Sequence, residues 1–108
     1  PKREIIYVDD LAEAIIFFLK KKIKHNLINI GTSKEYSIKE IANQIIKILN
    51  LNIKIKFNNN PKYDGIQSKI LDTNVASKYG WTPKIKFEEA IIKTYQDLIK
   101  NYKKIKSI

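Results

Sequence analysis

The 108-residue chain contains no cysteine and no methionine, one histidine, one tryptophan and three glycines. Without cysteine, neither a disulfide framework nor a thiolate metal site can form. His25 alone does not make a zinc site. The longest apolar run, AIIFFL at residues 14–19, falls far short of the roughly 20 residues a membrane helix needs. No stretch reads as a signal peptide, so the cytoplasm is the expected compartment and no membrane partner is expected. The absent methionine, with Pro1 in first place, makes a fragment or processed product the expectation. Residues 1–108 then form a single partial domain, since one domain or part of one is all this length holds.

Arginine is nearly absent as well, Arg3 being the single one among 21 basic residues. The net charge of +10 and pI near 9.7 raise the possibility of nucleic-acid binding through phosphate neutralisation. Two features argue against it. Lysine, isoleucine and asparagine dominate, all three with codons rich in A and T, so an AT-rich genome would give the same bias. The lysines are also scattered, without the interleaved aromatics of single-strand binders. No nucleic-acid partner is expected, although the charge can draw in an anionic small substrate.

What is present alternates regularly. Residues 5–8 read as a short strand, followed by a helix capped by Asp9 or Asp10 that runs to about Lys22, with acids in its first turn and lysines in its last. Residues 27–30 form an apolar run ending at Gly31 and read as a buried strand. SIKE, residues 37–40, is a capping box. It opens a helix whose Ile38, Ile41, Ala42, Ile45, Ile46 and Leu49 share a core face. Ile53, Ile55 and Phe57 alternate with Lys54 and Lys56, the pattern of a half-exposed strand.

A long polar loop, NNNPKYDGIQSKILD at residues 58–72, comes next; loops of that length are usually functional or disordered. Residues 73–79 read as a short helix stopped by Gly80, with Trp81 and Pro83 after it. The last predicted helix covers residues 87–104, with Ala90, Ile91, Thr94, Tyr95, Leu98, Ile99 and Tyr102 on one stripe expected to be core. The class is α/β, strands covered by helices.

REIIYVDDLAEAIIFFL, NLINIGTSKEYSIKEIANQI, YDGIQSKILD and KYGWTPKIKFEEAIIKTYQDLI, in that order, resemble the C-terminal part of the extended short-chain dehydrogenase/reductases acting on nucleotide sugars. The DG four residues before a lysine is most similar to the GDP-L-fucose synthase branch. The resemblance covers essentially the whole chain and well under half of such an enzyme. It implies the substrate-binding portion of an α/β enzyme that lacks most of its Rossmann domain. It also implies NADP bound by the missing N-terminal domain, a GDP-sugar as substrate, and a homodimer when full-length.

The same resemblance accounts for what is missing. The family's glycine-rich fingerprint and its Y-x-x-x-K pair belong to the upstream half. Here Tyr36, Tyr63, Tyr79 and Tyr95 are followed at that distance by Glu40, Gln67, Pro83 and Ile99, and Tyr7 by Leu11. Tyr102 and Lys106 match by chance, at a lysine-rich helix end. No catalytic, cofactor-binding or metal-ligating residue is therefore expected, and the chain alone is expected to be inactive. In the family the 27–31 strand joins the cofactor domain's sheet, so the isolated chain is expected to expose a hydrophobic face and aggregate.

The substrate-binding residues implied are Arg3, Asp64 and Lys69. The Arg3 guanidinium can grip two phosphate oxygens at once, as lysine cannot, and it stands where the family's arginine meets the substrate diphosphate. Asp64 would accept hydrogen bonds from substrate hydroxyls, Gly65 would let the backbone turn sharply, and Lys69 would bring charge to the diphosphate. The family usually writes the loop K-P-D-G-T-P-R-K, whereas Tyr63, Ile66, Gln67 and Ser68 replace Pro, Thr, Pro and Arg here. The lost second arginine keeps another nucleotide-sugar epimerase or dehydratase open as an alternative. A basic nucleic-acid-binding or interaction module is the alternative of another class.

Overall fold

The computed structural model describes residues 1–106, the side chain of Lys106 excepted. The elements in chain order are β1 (Lys2–Glu4), α1 (Val8–Leu19), β2 (Glu35–Ser37), α2 (Ile38–Ile48), a 3-10 turn at Pro61–Tyr63, α3 (Asn74–Lys78) and α4 (Phe87–Lys106). β1 and β2 pair antiparallel, with Lys2 opposite Ser37, Arg3 opposite Tyr36 and Glu4 opposite Glu35. The class is thus mixed helix and strand, but helix dominates and the described sheet has two strands.

The signals local in sequence are borne out. The Ser37 Oγ accepts the Glu40 amide at 3.0 Å and the Glu40 carboxylate takes the Ser37 amide at 3.4 Å, completing the capping box that starts α2. Gly80 (φ +95) ends α3. Its N–H donates to Ser77 O at 2.9 Å and that of Trp81 to Ala76 O at 3.1 Å, a Schellman cap.

Four expectations are corrected. The first strand lies at Lys2–Glu4 rather than 5–8, because β2 reaches only the earlier residues and Val8 already belongs to α1. Tyr7 stands at the N-cap of α1 with no side-chain cap, so neither Asp9 nor Asp10 caps the helix, both lying in its first turn. That helix ends at Leu19, leaving Lys21, Lys22 and Lys24 beyond it. Residues 27–30 and 53–57 are not strands, since a strand needs a neighbour to bond and none of the described segments pairs with them.

The core is small. Ala14 of α1, Ala76 of α3 and Trp81 are buried, with Ile6, Phe17, Phe18, Ile28 and Ile30 packed around them. Asp10 is buried with them at 3% exposure, and its carboxylate accepts the Lys84 amide at 3.3 Å and the Ile85 amide at 3.0 Å. That clasp ties the start of α1 to the segment that follows Trp81. The indole Nε1 of Trp81 is buried without a hydrogen-bond partner among the described residues. On the other side, the Tyr36 and Phe87 rings, 5.0 Å apart, join β2 to the start of α4, which also packs on α2.

The stripe on α4 departs furthest from its expected role. Ala90 and Ile91 are half-buried, but Leu98 is 43% and Ile99 61% exposed. Val8, Ile15, Ile16 and Leu19 leave a second apolar face of α1 open. The Cα radius of gyration, 16.7 Å, exceeds the roughly 13 Å of a compact chain this long. Apolar faces this open are covered by other protein or favour association.

The isolated chain is therefore expected to bind a hydrophobic dye and to melt without a sharp transition; a cooperative calorimetric melt with no dye binding would refute this. Replacing Asp10 by Ala leaves two part-buried amides without their acceptor, at a cost of about 1 kcal/mol or more each. Hydrogen exchange at Lys84 and Ile85 should accelerate roughly tenfold or more in that variant, with Ser77 and Gly80 little changed.

Candidate functional site

Residues 58–72 are held along much of their length. The Lys2 amide donates to Gln67 O at 2.7 Å, so the outer edge of β1 carries the loop. Ser68 Oγ reaches a Glu35 carboxylate oxygen at 2.6 Å. The Leu71 amide reaches Glu4 Oε1 at 3.0 Å, and Asn29 Nδ2 reaches Asp72 O at 3.3 Å. At its far end the Ser33 and Thr73 hydroxyls hydrogen-bond each other. The loop is thus tied to the rest of the chain over residues 66–72.

Glu4 links this loop to the turn at Ser33. One carboxylate oxygen takes the Leu71 amide and the other takes the Ser33 amide at 2.5 Å. The half-buried carboxylate lies against Gly31, where any Cβ would overlap it. Gly31 is a glycine for that close approach, not for an unusual backbone angle. Sequence inspection singled out Arg3 and passed over its neighbour Glu4; the isolated glycine closing the 27–31 run was the signal that something approaches closely there.

Arg3 is turned onto the loop. Its Nη1 donates to Lys2 O at 2.7 Å and Ile66 O at 2.6 Å. Guanidinium has five N–H donors, so the two of Nη2 and the one of Nε stay clear of these bonds. Gly65 (φ +68) turns the chain beside it, and a Cβ there would lie 3.6 Å from Arg3 Nη2. Arg3 and the Asp64–Gly65 turn are thus brought together. Asp64 is half-buried and Lys69 exposed. Lys69 rides on the same loop, between the anchors at Ser68 and Leu71.

Asp64 lines a cleft of about 450 Å³ together with Pro1, Ser37, Ile38 and Lys39 at the start of α2, and Phe57, Asn58 and Asn59. Sequence inspection placed Phe57 on a strand and gave the asparagines no role. Among the described residues no group of three or more His, Cys, Asp or Glu could hold a metal, and no helix is long and apolar enough to cross a membrane.

No protein-family model matches the chain. It is 33% identical to GDP-L-fucose synthase 1 of Arabidopsis thaliana over 94% of its own length and 31% of that protein. It is 32% identical to GDP-L-fucose synthase of Sinorhizobium fredii, again over 94% of the chain and 32% of the relative. The chain is homologous to the C-terminal part of the GDP-L-fucose synthases. It spans about a third of the length of the relatives it matches. Among solved structures it is similar to a GDP-mannoheptose C4 reductase from Campylobacter jejuni with NADP bound, at TM-score 0.73 and 30% identity, over 88% of the chain and 31% of that structure. The fold is that of the matching part of an extended short-chain dehydrogenase/reductase.

Substituting Gly31 by Ala should displace the Glu4 carboxylate and free the Leu71 amide. Limited proteolysis should then cut within residues 64–72 faster than in the parent chain, by roughly tenfold if one charge-assisted hydrogen bond is lost. An unchanged cutting rate would remove Glu4 as the anchor.

Proposed function

We propose that the chain supplies the nucleotide-sugar-binding part of a cytoplasmic, NADP-dependent epimerase/reductase of GDP-sugars. The full enzyme would convert GDP-4-keto-6-deoxy-mannose to GDP-L-fucose by epimerisation and then reduction, and would work as a homodimer. The observation that carries this is the Arg3 guanidinium, anchored through Nη1 beside the Asp64–Gly65 turn with its remaining donors disengaged. Arg3 grips the diphosphate, Lys69 adds a second positive charge to it, and Asp64 accepts hydrogen bonds from substrate hydroxyls. The names of the homologues, GDP-L-fucose synthases and a GDP-heptose reductase, support a GDP-sugar as the ligand.

In this reading NADP is bound by protein outside this chain. Its three glycines are separately engaged: Gly31 against Glu4, Gly65 in the loop turn and Gly80 in the α3 cap. None forms a glycine-rich turn from strand to helix, the cradle a dinucleotide pyrophosphate needs. Tyr102 and Lys106 stand near the end of α4, away from Arg3 in the chain, and Lys106's side chain lies outside the described residues. The reading assigns hydride transfer to protein outside this chain and expects the chain alone to turn over no substrate.

Titration with a GDP-sugar should give saturable binding that Arg3→Ala weakens by about tenfold or more, the scale of a charged hydrogen bond. Lys69→Ala should weaken it less, as an exposed charge does. Tight binding of RNA or DNA with a steep salt dependence, unaffected by Arg3→Ala, would instead favour a basic nucleic-acid module.

A further inference from the structure

We infer that Asp64 is a modification site: its carboxyl closes onto the Gly65 amide nitrogen, and the resulting succinimide opens to isoaspartate. The inference concerns the loop of the proposed function but does not depend on what that loop binds.

The reaction needs a carboxyl, the amide nitrogen of the next residue, and space around that nitrogen. Of the chain's aspartates only Asp64 precedes a glycine; the others precede Asp10, Leu11, Thr73 and Leu98. Glycine has no Cβ to crowd the attacking nitrogen.

The structure separates the aspartates further. Asp10 accepts the Lys84 and Ile85 amides. Asp72 accepts the Asn74 amide at 2.9 Å, and Asp97 accepts Asn101 Nδ2 at 2.9 Å. The amide after Asp9 donates to Tyr7 O at 3.0 Å. At Asp64 neither reacting group is engaged among the described residues: no donor meets its carboxylate and no backbone acceptor takes the Gly65 N–H. The neighbours Tyr63 and Ile66 are 66% and 62% exposed, so water reaches the turn.

The step balances without a co-reactant other than water. The Gly65 nitrogen bonds to Asp64 Cγ, and its proton leaves with a carboxyl oxygen and the carboxyl proton as one water. A second water then opens the ring at one of its two carbonyls. Addition at Cγ restores aspartate. Addition at the main-chain carbonyl breaks the original peptide bond, so the chain runs on through Cβ and Cγ and the old carbonyl becomes a free carboxylate. The backbone is then one carbon longer just before Ile66, whose carbonyl holds Arg3 Nη1 at 2.6 Å.

Docking of the loop controls the rate. Asp64 has helical angles, φ −74 and ψ −39, and its own amide donates to Pro61 O at 3.1 Å. Ring closure needs a rotation that brings the Gly65 nitrogen round to the side chain. That rotation pulls the Ile66 carbonyl from Arg3 and the Gln67 carbonyl from the Lys2 amide. The docked loop is therefore the slow state.

The test is to hold the intact chain at neutral pH in water enriched in oxygen-18, digest it in ordinary water, and locate label and isomer by electron-transfer mass spectrometry. Because the reading follows digestion, association of the protein does not blur it. Each passage through the ring installs one heavy oxygen at residue 64. Label and isoaspartate should accumulate at Asp64 and stay at background at Asp9, Asp10, Asp72 and Asp97. An isoaspartyl methyltransferase should transfer a methyl group from S-adenosylmethionine to the same peptide. Asp64→Glu, which must form a larger and slower ring, should lose both signals. Arg3→Ala should accelerate labelling about tenfold, the scale of one charged hydrogen bond, and unfolding in urea should do at least as much.

Absence of label at Asp64, or equal labelling at all the aspartates, would overturn the site. Label at Asp64 that accumulates no faster in Arg3→Ala and urea than in the parent would overturn control by the docked loop. Failure of GDP-sugar binding leaves both readings untouched, so the two proposals fall separately.

Discussion

The Glu4 carboxylate meets three pieces of chain that lie far apart in sequence. It sits at the end of a three-residue strand, takes the Ser33 amide on one oxygen and the Leu71 amide on the other, and presses on Gly31. β1 alone is too short to order a loop, and the apolar residues of the loop, Tyr63, Ile66, Ile70 and Leu71, stay exposed. A charged acceptor with two backbone donors provides what burial does not, since such hydrogen bonds are roughly twice as strong as neutral ones. The positions of Arg3, Asp64 and Lys69 relative to one another all follow from that one clasp and the Ile66 and Gln67 carbonyls beside it.

Asp10 plays the corresponding part in the core. Among the described residues only Ala14, Ala76 and Trp81 are buried apolar residues, too little surface to fix the relative placement of α1, α3 and the segment before α4. The buried carboxylate supplies direction instead, accepting two adjacent amides 74 and 75 residues away. Two carboxylates, one for the core and one for the loop, thus set the frame of a chain whose net charge is strongly positive. The apolar faces of α1 and the distal half of α4 stay open beside it, as suits a chain that spans about a third of the enzymes it resembles.

The legible parts of this fold were those whose chemistry closes within a few residues. The capping box needs only Ser37 and Glu40, and the Gly80 stop needs only the turn before it. The strands were not legible, because Ile53, Ile55 and Phe57 alternate correctly yet no described segment lies alongside to bond them. Asp9 and Asp10 had the composition of a cap, but Asp10's partners lie far along the chain and Tyr7 took the cap position. The α4 stripe had helical spacing and does form a helix; whether a stripe is buried depends on what packs over it, which spacing does not encode. At the site, Arg3, Asp64 and Lys69 were named through resemblance, and the structure sets Arg3 against the Asp64–Gly65 turn. Glu4 and the Phe57 cleft went unnamed, since their meaning lies in contacts between distant segments.

The way Arg3 is held has a thermodynamic consequence. A free arginine carries about 2 kcal/mol of rotamer entropy, which a ligand must quench to use it. Here two carbonyls, Lys2 O and Ile66 O, already immobilise Nη1, so that loss is taken during folding and the remaining donors are preorganised. One of those carbonyls belongs to the loop itself. The guanidinium is therefore aligned only while the loop is docked, and an anion bound by Arg3 would favour the docked loop in return, by the reciprocity that links any two coupled equilibria.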